Sequence, residues 1–346
     1  YALAQSQADQ RLLVHCLQAL AKSYTERQDF DEAERCNQQA YELCRTLDYT
    51  VGMYQYFNLI GTRQYSEGKF AEALVTFEQA YRLALKAGAY REIAITRTLI
   101  GIIHHLQGHF QEAIAILRQG LEFSLRTQYP RVIIYTLHAL GNSLAAALDT
   151  LGAQEAYIRA LRIAEQYHLD ENVGALRGEL GLLAYQQNEL RLAQNYLESA
   201  LEQLRAIHSD YYYPAYLSYL VPIYLGLGDD AAAERALHEG VELAVQLSGE
   251  FERSLAIWGA VQVWMRRTTR EPMPLTQQIE LTETVVRWAG LVLASPHIEH
   301  NNRRVIQNLF PDMRACLGDE RVEVLLQAGA QLDLASVIDQ LHAASQ

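Results

Sequence analysis

The sequence predicts an all-α protein: a linear array of antiparallel helix pairs closed by a helical cap. Three observations carry that prediction. One residue pattern returns every 40 positions, six times over. Within each copy the apolar residues recur at three and four, the period of amphipathic helices. Short turns separate the two halves of a copy. At 346 residues the chain is too long for one simple core and suits two domains or one extended array.

Small residues set the register. Ala21, Gly61, Gly101, Gly141 and Gly181 stand 40 apart, with Val221 in their place in the sixth copy. Twelve residues later come Ala33, Ala73, Ala113, Ala153, Ala193 and Ala233, and seven further on Ala40, Ala80, Gly120, Ala160, Ala200 and Gly240. Leu20, Ile60, Ile100, Leu140, Leu180 and Leu220 precede the first small site, and Tyr41, Tyr81, Leu121, Leu161, Leu201 and Val241 follow the third. Six copies therefore keep register without insertion or deletion. Gly or Ala at a helix crossing permits the closest approach of two axes. The turns read RQDF (27–30), EGKF (67–70), QGHF (107–110) and QNEL (187–190). In the fourth copy ALDTLGA (147–153) replaces the glycine-containing turn.

The register ends after Val263. RRTTREPMPLT (266–276), with two prolines, reads as a loop. Helices are expected over 277–294, from Arg303, and across the closing stretch 318–344, where Asp333 is placed to N-cap the last one. The expected organisation is an array over residues 8–265 and a helical capping segment over 266–346, which covers the last apolar face.

Composition excludes several functions. The net charge of −12 makes this segment a poor partner for nucleic acid. No apolar run reaches the roughly 18 residues that span a bilayer. Cys16, Cys36, Cys44 and Cys316 form no CxxC or Cys/His spacing and read as reduced thiols of a cytoplasmic protein. No GxSxG, HExxH, P-loop or GxGxxG occurs, so no catalytic residue, metal or cofactor is expected. His297 and His300 in HIEH come nearest to a metal motif, and the adjacent Pro296 and Asn301-Asn302 favour a solvated loop. The first residue is Tyr rather than Met, which suggests a fragment of a longer protein.

The second copy, with Leu59, Gly61, Gly68, Phe70, Ala73, Phe77 and Ala80, resembles the tetratricopeptide repeat. The family repeat is usually 34 residues, and the six extra here lengthen the helices by about one turn in total. The resemblance implies a right-handed α-α superhelix of about six to seven antiparallel helix pairs plus the cap. With the closing phrase Gly329-Ala330-Gln331-Leu332-Asp333-Leu334, the chain also resembles the C-terminal sensor arrays of signal-transduction ATPases with numerous domains, many of which carry a LuxR-type DNA-binding domain. The resemblance then places the ATPase upstream of this segment.

In the family the first helix of each pair lines the inside of the superhelix. Carried over, the inward positions are six and three before the small residue, then one and four after. They give His15, Gln18 and Lys22 in the first copy; Gln55, Asn58, Thr62 and Tyr65 in the second; and Thr98 and His105, with Ile95 and Ile102, in the third. The fourth gives Tyr135, His138 and Asn142; the fifth Tyr185, with Ala175, Gly178 and Leu182; the sixth Ser218, with Ala215 and Pro222. Asn, Gln, Thr and His can hydrogen-bond a peptide backbone, and Tyr adds apolar area with a polar tip. Gly178 is expected to leave room for a bulky ligand group. Members that hold a C-terminal carboxylate cluster Lys, Arg and Asn; here Lys22 and Asn142 stand three repeats apart, so that specialisation is not expected. The expected function is a non-catalytic sensor that holds a peptide, protein or small effector in the groove and signals to upstream domains of the same polypeptide. The alternative is a constitutive scaffold or oligomerisation module.

Overall fold

The computed structural model describes residues 7–345 apart from 28, 210, 297 and 299. Among the described residues there are helices and no strand. The chain divides into two compact units, Tyr1–His168 and Leu169–Gln346. The first holds four hairpins: α1 (Gln7–Glu26) with α2 (Phe30–Thr46), α3 (Thr50–Ser66) with α4 (Phe70–Ala87), α5 (Tyr90–Leu106) with α6 (Phe110–Ser124), and α7 (Pro130–Ala146) with α8 (Thr150–Gln166). The second begins with α9 (Asp170–Gln186) on α10 (Leu190–Ala206) and α11 (Tyr213–Leu227) on α12 (Asp230–Leu247). It continues through α13 (Glu250–Arg270), α14 (Leu275–Ala294), α15 (His300–Gln307), α16 (Phe310–Leu317), α17 (Asp319–Gly329) and α18 (Leu334–Ser345).

The punctuation is finer than the 40-residue repeat. From Phe30 to Leu190 a helix begins every twenty residues. A residue in the left-handed conformation recurs at the same step, except at residue 128: Asp48, Gly68, Gly88, Gly108, Leu148, His168, Asn188, His208, Gly228 and Ser248. The fourth hairpin shows how one short turn ends a helix and starts the next. The Leu148 amide donates to the Ala145 carbonyl at 3.0 Å and the Asp149 amide to the Leu144 carbonyl at 2.9 Å, closing α7 in a Schellman motif. The Asp149 carboxylate then accepts from the Gly152 amide at 3.0 Å and caps α8. Leu148 holds φ 64° with 87% of its surface exposed, so it carries left-handed strain and packs on nothing that offsets it. Leu148→Gly is therefore expected to stabilise the protein by roughly 0.5–1 kcal/mol, read as a higher urea midpoint. A lower midpoint would contradict this reading of the turn.

The small residues work as crossing points. A Cβ placed on Gly61 would lie 2.7 Å from the Phe77 ring, on Gly101 2.5 Å from Leu117, on Gly141 2.4 Å from the Tyr157 ring, and on Gly181 2.7 Å from Leu197. In each hairpin a large side chain of the second helix fills the notch left by a glycine of the first. Ala73, Ala113, Ala153 and Ala193 are fully buried on the opposing helix. This interlocking keeps the apolar faces at close-packed density.

In the second unit the pairing continues past the expected end of the array. α13 runs through residue 265 to Arg270, so the first five residues of the expected loop are helical and the connection shortens to 271–274. α13 packs on α14, and α14 on α17. Trp258 of α13 donates its indole N–H to the Asn302 carbonyl at 3.0 Å. Arg303 closes the end of α14, donating to the carbonyls of Leu293, Ser295 and Ile298. Asp333 caps α18 as expected, accepting from the Ser336 amide at 2.8 Å. His297 and the side chain of His300 lie outside the described residues.

Candidate functional site

The first helices of the first unit meet one another directly. Gln18 Nε2 of α1 donates to the Gly52 carbonyl of α3 at 3.2 Å, and the hydroxyls of Thr98 on α5 and Thr136 on α7 lie 2.9 Å apart. These contacts sort the expected groove positions. At Gln18 and Thr98, three before the small residue, the side chain faces the next first helix. Thr98 is fully buried and also donates to the Ala94 carbonyl at 2.8 Å, so it is a packing residue and not a ligand contact.

The second unit shows the same geometry. Gly178 does not leave room for a ligand: the Tyr216 ring of α11 fills the space, 2.2 Å from where a Cβ would stand. The Tyr216 hydroxyl sits between two acceptors, the Ala175 carbonyl at 2.9 Å and Glu179 at 3.0 Å. Ser218 is 8% exposed and donates to the Ala215 carbonyl at 2.7 Å, which removes it from the candidate set as well. Tyr185 is half-buried, edge-on to Tyr219 with ring centroids 5.9 Å apart, and burial pushes its phenol pKa up.

The other positions in the first unit stay accessible. His15, Lys22, Gln55 and Thr62 are exposed; Tyr135 is 41% exposed; Asn58, Tyr65, His105, His138 and Asn142 are half-buried. His15 faces the Tyr49 hydroxyl at 3.4 Å. Thr62 returns its hydroxyl to the Asn58 carbonyl at 2.8 Å. Tyr157 donates to Asn142 Oδ1 at 2.8 Å and presents its ring to His138, which fixes the orientation of the Asn142 amide. Tyr157 and Tyr216 were not singled out in the sequence because they lie on neighbouring helices, and only the notch glycines Gly141 and Gly178 hinted at bulky partners.

Two of the half-buried groups hold polar atoms without a hydrogen-bond partner: Asn58 Oδ1 on α3 and His105 Nδ1 on α5. Both atoms are themselves shielded from solvent, and each costs roughly 1–3 kcal/mol of desolvation. The neighbouring His104 Nδ1 is in the same condition. Burial holds the His105 imidazole below its ordinary pKa of 6.5; burial and then the nearby His109 do the same for His104.

The sign of the pH dependence follows. At pH values above 6.5 these imidazoles are neutral in both states, and as pH falls below it the unfolded chain takes up protons that the folded chain does not. The two groups are therefore expected to make the folded state less stable on acidification from about pH 7.5 to about pH 5.5. A melting series with wild type and His105→Gln checks it: the substitution should flatten the slope, and an unchanged slope would contradict the assignment.

Burial also pushes the Cys44 thiol up to about 11, the mark of an inert packed cysteine. Among the described residues no group of three His, Cys, Asp or Glu is placed to hold a metal ion. No helix among them is long and apolar enough to cross a membrane.

Tetratricopeptide-repeat families match residues 13–47 and 54–126. No curated protein matches the sequence at a significant level. Several solved structures share the fold. A Rap protein complexed with competence and sporulation factor is similar over 90% of this chain and 100% of that one, at 11% identity and a TM-score of 0.57. The apo form of the quorum sensor NprR from B. thuringiensis is similar over 86% of this chain and 87% of its own, at 16% identity and 0.56. A signal transduction ATPase with numerous domains that carries a tetratricopeptide repeat sensor, from Pyrococcus horikoshii, is similar over 96% of this chain, at 12% identity and 0.59. The present chain spans 50% of that protein's length. At these identities the likeness is one of fold.

Proposed function

We propose that this chain, in which tetratricopeptide-repeat families match residues 13–47 and 54–126, holds an extended peptide or peptide-like segment of a protein on the first-helix face of its first unit, and that this binding serves sensing rather than catalysis. The observation that carries the reading is the run of accessible polar and aromatic side chains on successive first helices: Gln55, Thr62 and Tyr65 of α3, His105 of α5, and Tyr135 and Asn142 of α7. A peptide backbone presents donors and acceptors at regular intervals, which such side chains can meet. Gln55, Thr62 and Asn142 supply side-chain partners, and Tyr65 and Tyr135 supply apolar area.

The likeness to a signalling ATPase with a tetratricopeptide sensor supports a place as the sensing part of a larger regulator. In that setting a ligand biases the array between conformations only to the extent that it binds one more tightly.

The test is calorimetric titration of the purified chain with a panel of synthetic peptides of about five to ten residues. A peptide that binds should lose about tenfold or more in affinity with Asn58→Ala and with Tyr135→Ala, both at positions that leave the hairpin notches filled. Equal affinity for wild type and both variants, with helix content unchanged, would remove this face as the site.

A further inference from the structure

Where the third hairpin meets the fourth, two arginines and two tyrosines cross. Tyr90 and Arg91 open α5, and Arg126 and Tyr129 lie in the turn that leads from α6 into α7. The Arg91 guanidinium stands over the Tyr129 ring, 4.9 Å from its centre, and the Arg126 guanidinium over the Tyr90 ring at 5.5 Å. Phe123 of α6 backs the second stack, its ring 6.2 Å from that of Tyr90 and inclined to it by 26°. The first stack follows the repeat: Arg11 of α1, at the register of Arg91, stands over Tyr49 at 5.1 Å. α4 packs on α5 and α6 on α7, so described helices flank this edge. Even so, Tyr90 is 45% exposed, Tyr129 53%, and both arginines are exposed.

The charge on this edge lacks a counter-ion. Arg82 and Lys86, near the end of α4, reach Glu78 at 3.7 Å and Asp48 at 3.3 Å. Arg91, Arg126 and Arg131, the last exposed in the first turn of α7, form no ion pair with a carboxylate among the described residues. Glu92 and Glu122, the acids nearest in sequence, pair with none of them. A chain of net charge −12 thus gathers three unpaired guanidiniums at two neighbouring turns, where they repel one another. Stacking leaves the binding part of each group open. The ring covers one planar face, while the N–H groups point outward in the plane. The stack also holds the side chain in place before a ligand arrives, which lowers the entropy cost of binding. An edge held in this way matches the paired oxygens of a carboxylate. Leu125, 46% exposed in the same turn, adds apolar area beside the tyrosine rims. The chemistry that fits is a segment rich in carboxylates with apolar side chains between them. A long polyanion fits worse, because the rest of the chain repels it.

We propose that this edge is a second binding surface, separate from the groove side chains, and that it docks a short acidic segment of a partner protein. Arg91 and Arg126 each hold a carboxylate, and Tyr90, Tyr129 and Leu125 receive the apolar side chains between.

The test is fluorescence anisotropy of the purified chain with three labelled probes. They are a peptide of about ten residues alternating Glu pairs with Leu or Trp, the same peptide with Gln for Glu, and an oligothymidylate of similar length. Wild type is expected to bind the Glu peptide about tenfold or more tighter than the other two, and to weaken as salt rises from about 50 to about 300 mM. Arg91→Gln with Arg126→Gln, at exposed positions, should keep the helix content and lose about tenfold or more in affinity. Arg91→Lys with Arg126→Lys keeps the charge without the planar fork and should recover only part of that loss. Asn58→Ala, in the groove, should leave binding of the Glu peptide unchanged. No binding of the Glu peptide, equal binding of the Gln peptide, or indifference to the glutamine pair overturns the proposal. Tighter binding of the oligonucleotide overturns it in favour of nucleic acid. Loss of the Glu peptide with Asn58→Ala places that peptide in the groove and overturns the second surface. Full recovery with the lysines overturns the paired-oxygen contact.

Discussion

Gly329→Ala is expected to unseat the last helices of the second unit. In a helix interior, glycine to alanine normally gains roughly 1 kcal/mol. Here the sign should reverse. A Cβ on Gly329 would stand 1.9 Å from the Arg287 carbonyl oxygen of α14, and one on Gly290 would stand 2.2 Å from the Leu326 carbonyl oxygen of α17. Both obstacles are backbone, which cannot rotate aside, so a methyl group must push α14 and α17 apart. The net loss is expected to be roughly 3 kcal/mol, at the upper end of overpacking costs. Trp258, Trp264 and Trp288 all lie on α13 and α14, with Trp264 and Trp288 rings 4.8 Å apart, so tryptophan fluorescence reports on this region. The variant should lose the fluorescence transition at lower urea and become sensitive to limited proteolysis within 300–345. A midpoint equal to wild type would mean that the two helices cross more loosely than the structure shows.

Gly141→Leu is the counterpart in the first unit. Its Cβ alone would stand 2.4 Å from the Tyr157 ring, which is 2% exposed and tethered through its hydroxyl to Asn142. The remaining leucine atoms have nowhere to go without parting α7 from α8. A loss of about 3 kcal/mol or more is expected in urea unfolding followed by circular dichroism. The first unit has no tryptophan, so the fluorescence transition serves as an internal comparison with the second unit. A loss below about 0.5 kcal/mol would show that the fourth hairpin can open to accept bulk, against the interlocking seen at Gly61, Gly101 and Gly181.

The hairpins were legible because their small residues are steric requirements: Gly61, Gly101, Gly141 and Gly181 mark notches, and a notch repeats whenever the fold does. The turns were half legible. Gly68 and Gly108 announced themselves, whereas Leu148, His168 and His208 adopt the same left-handed conformation against their preference, so nothing in residue type exposed the twenty-residue step. α13 outran its expected end because Thr268 is buried and its neighbours Arg266 and Arg267 pair with Asp230 and Glu234 of α12, contacts that a polar composition conceals. The phrase around Gly329 was visible as a pattern; its reason, a backbone-to-backbone crossing with α14, needed the third dimension.

For the candidate site, the sequence distinguishes helices but not the faces of a helix. Register puts the candidate positions on the first helices, but it cannot tell a position facing solvent from one facing the next first helix. Thr98, Ser218 and Gly178 fell on the wrong side of that distinction, since a hydroxyl or a glycine reads the same in either place. Conversely, the unsatisfied atoms at Asn58 and His105 are a property of packing alone.

Hydrogen–deuterium exchange of the chain with and without a peptide that binds it tests the central claim most directly. Saturating peptide is predicted to slow exchange in α3, α5 and α7, centred on the turns of helix around Asn58 and His105, with α4, α6 and α8 little changed. Protection confined to those second helices, or to residues 169–345, would contradict it.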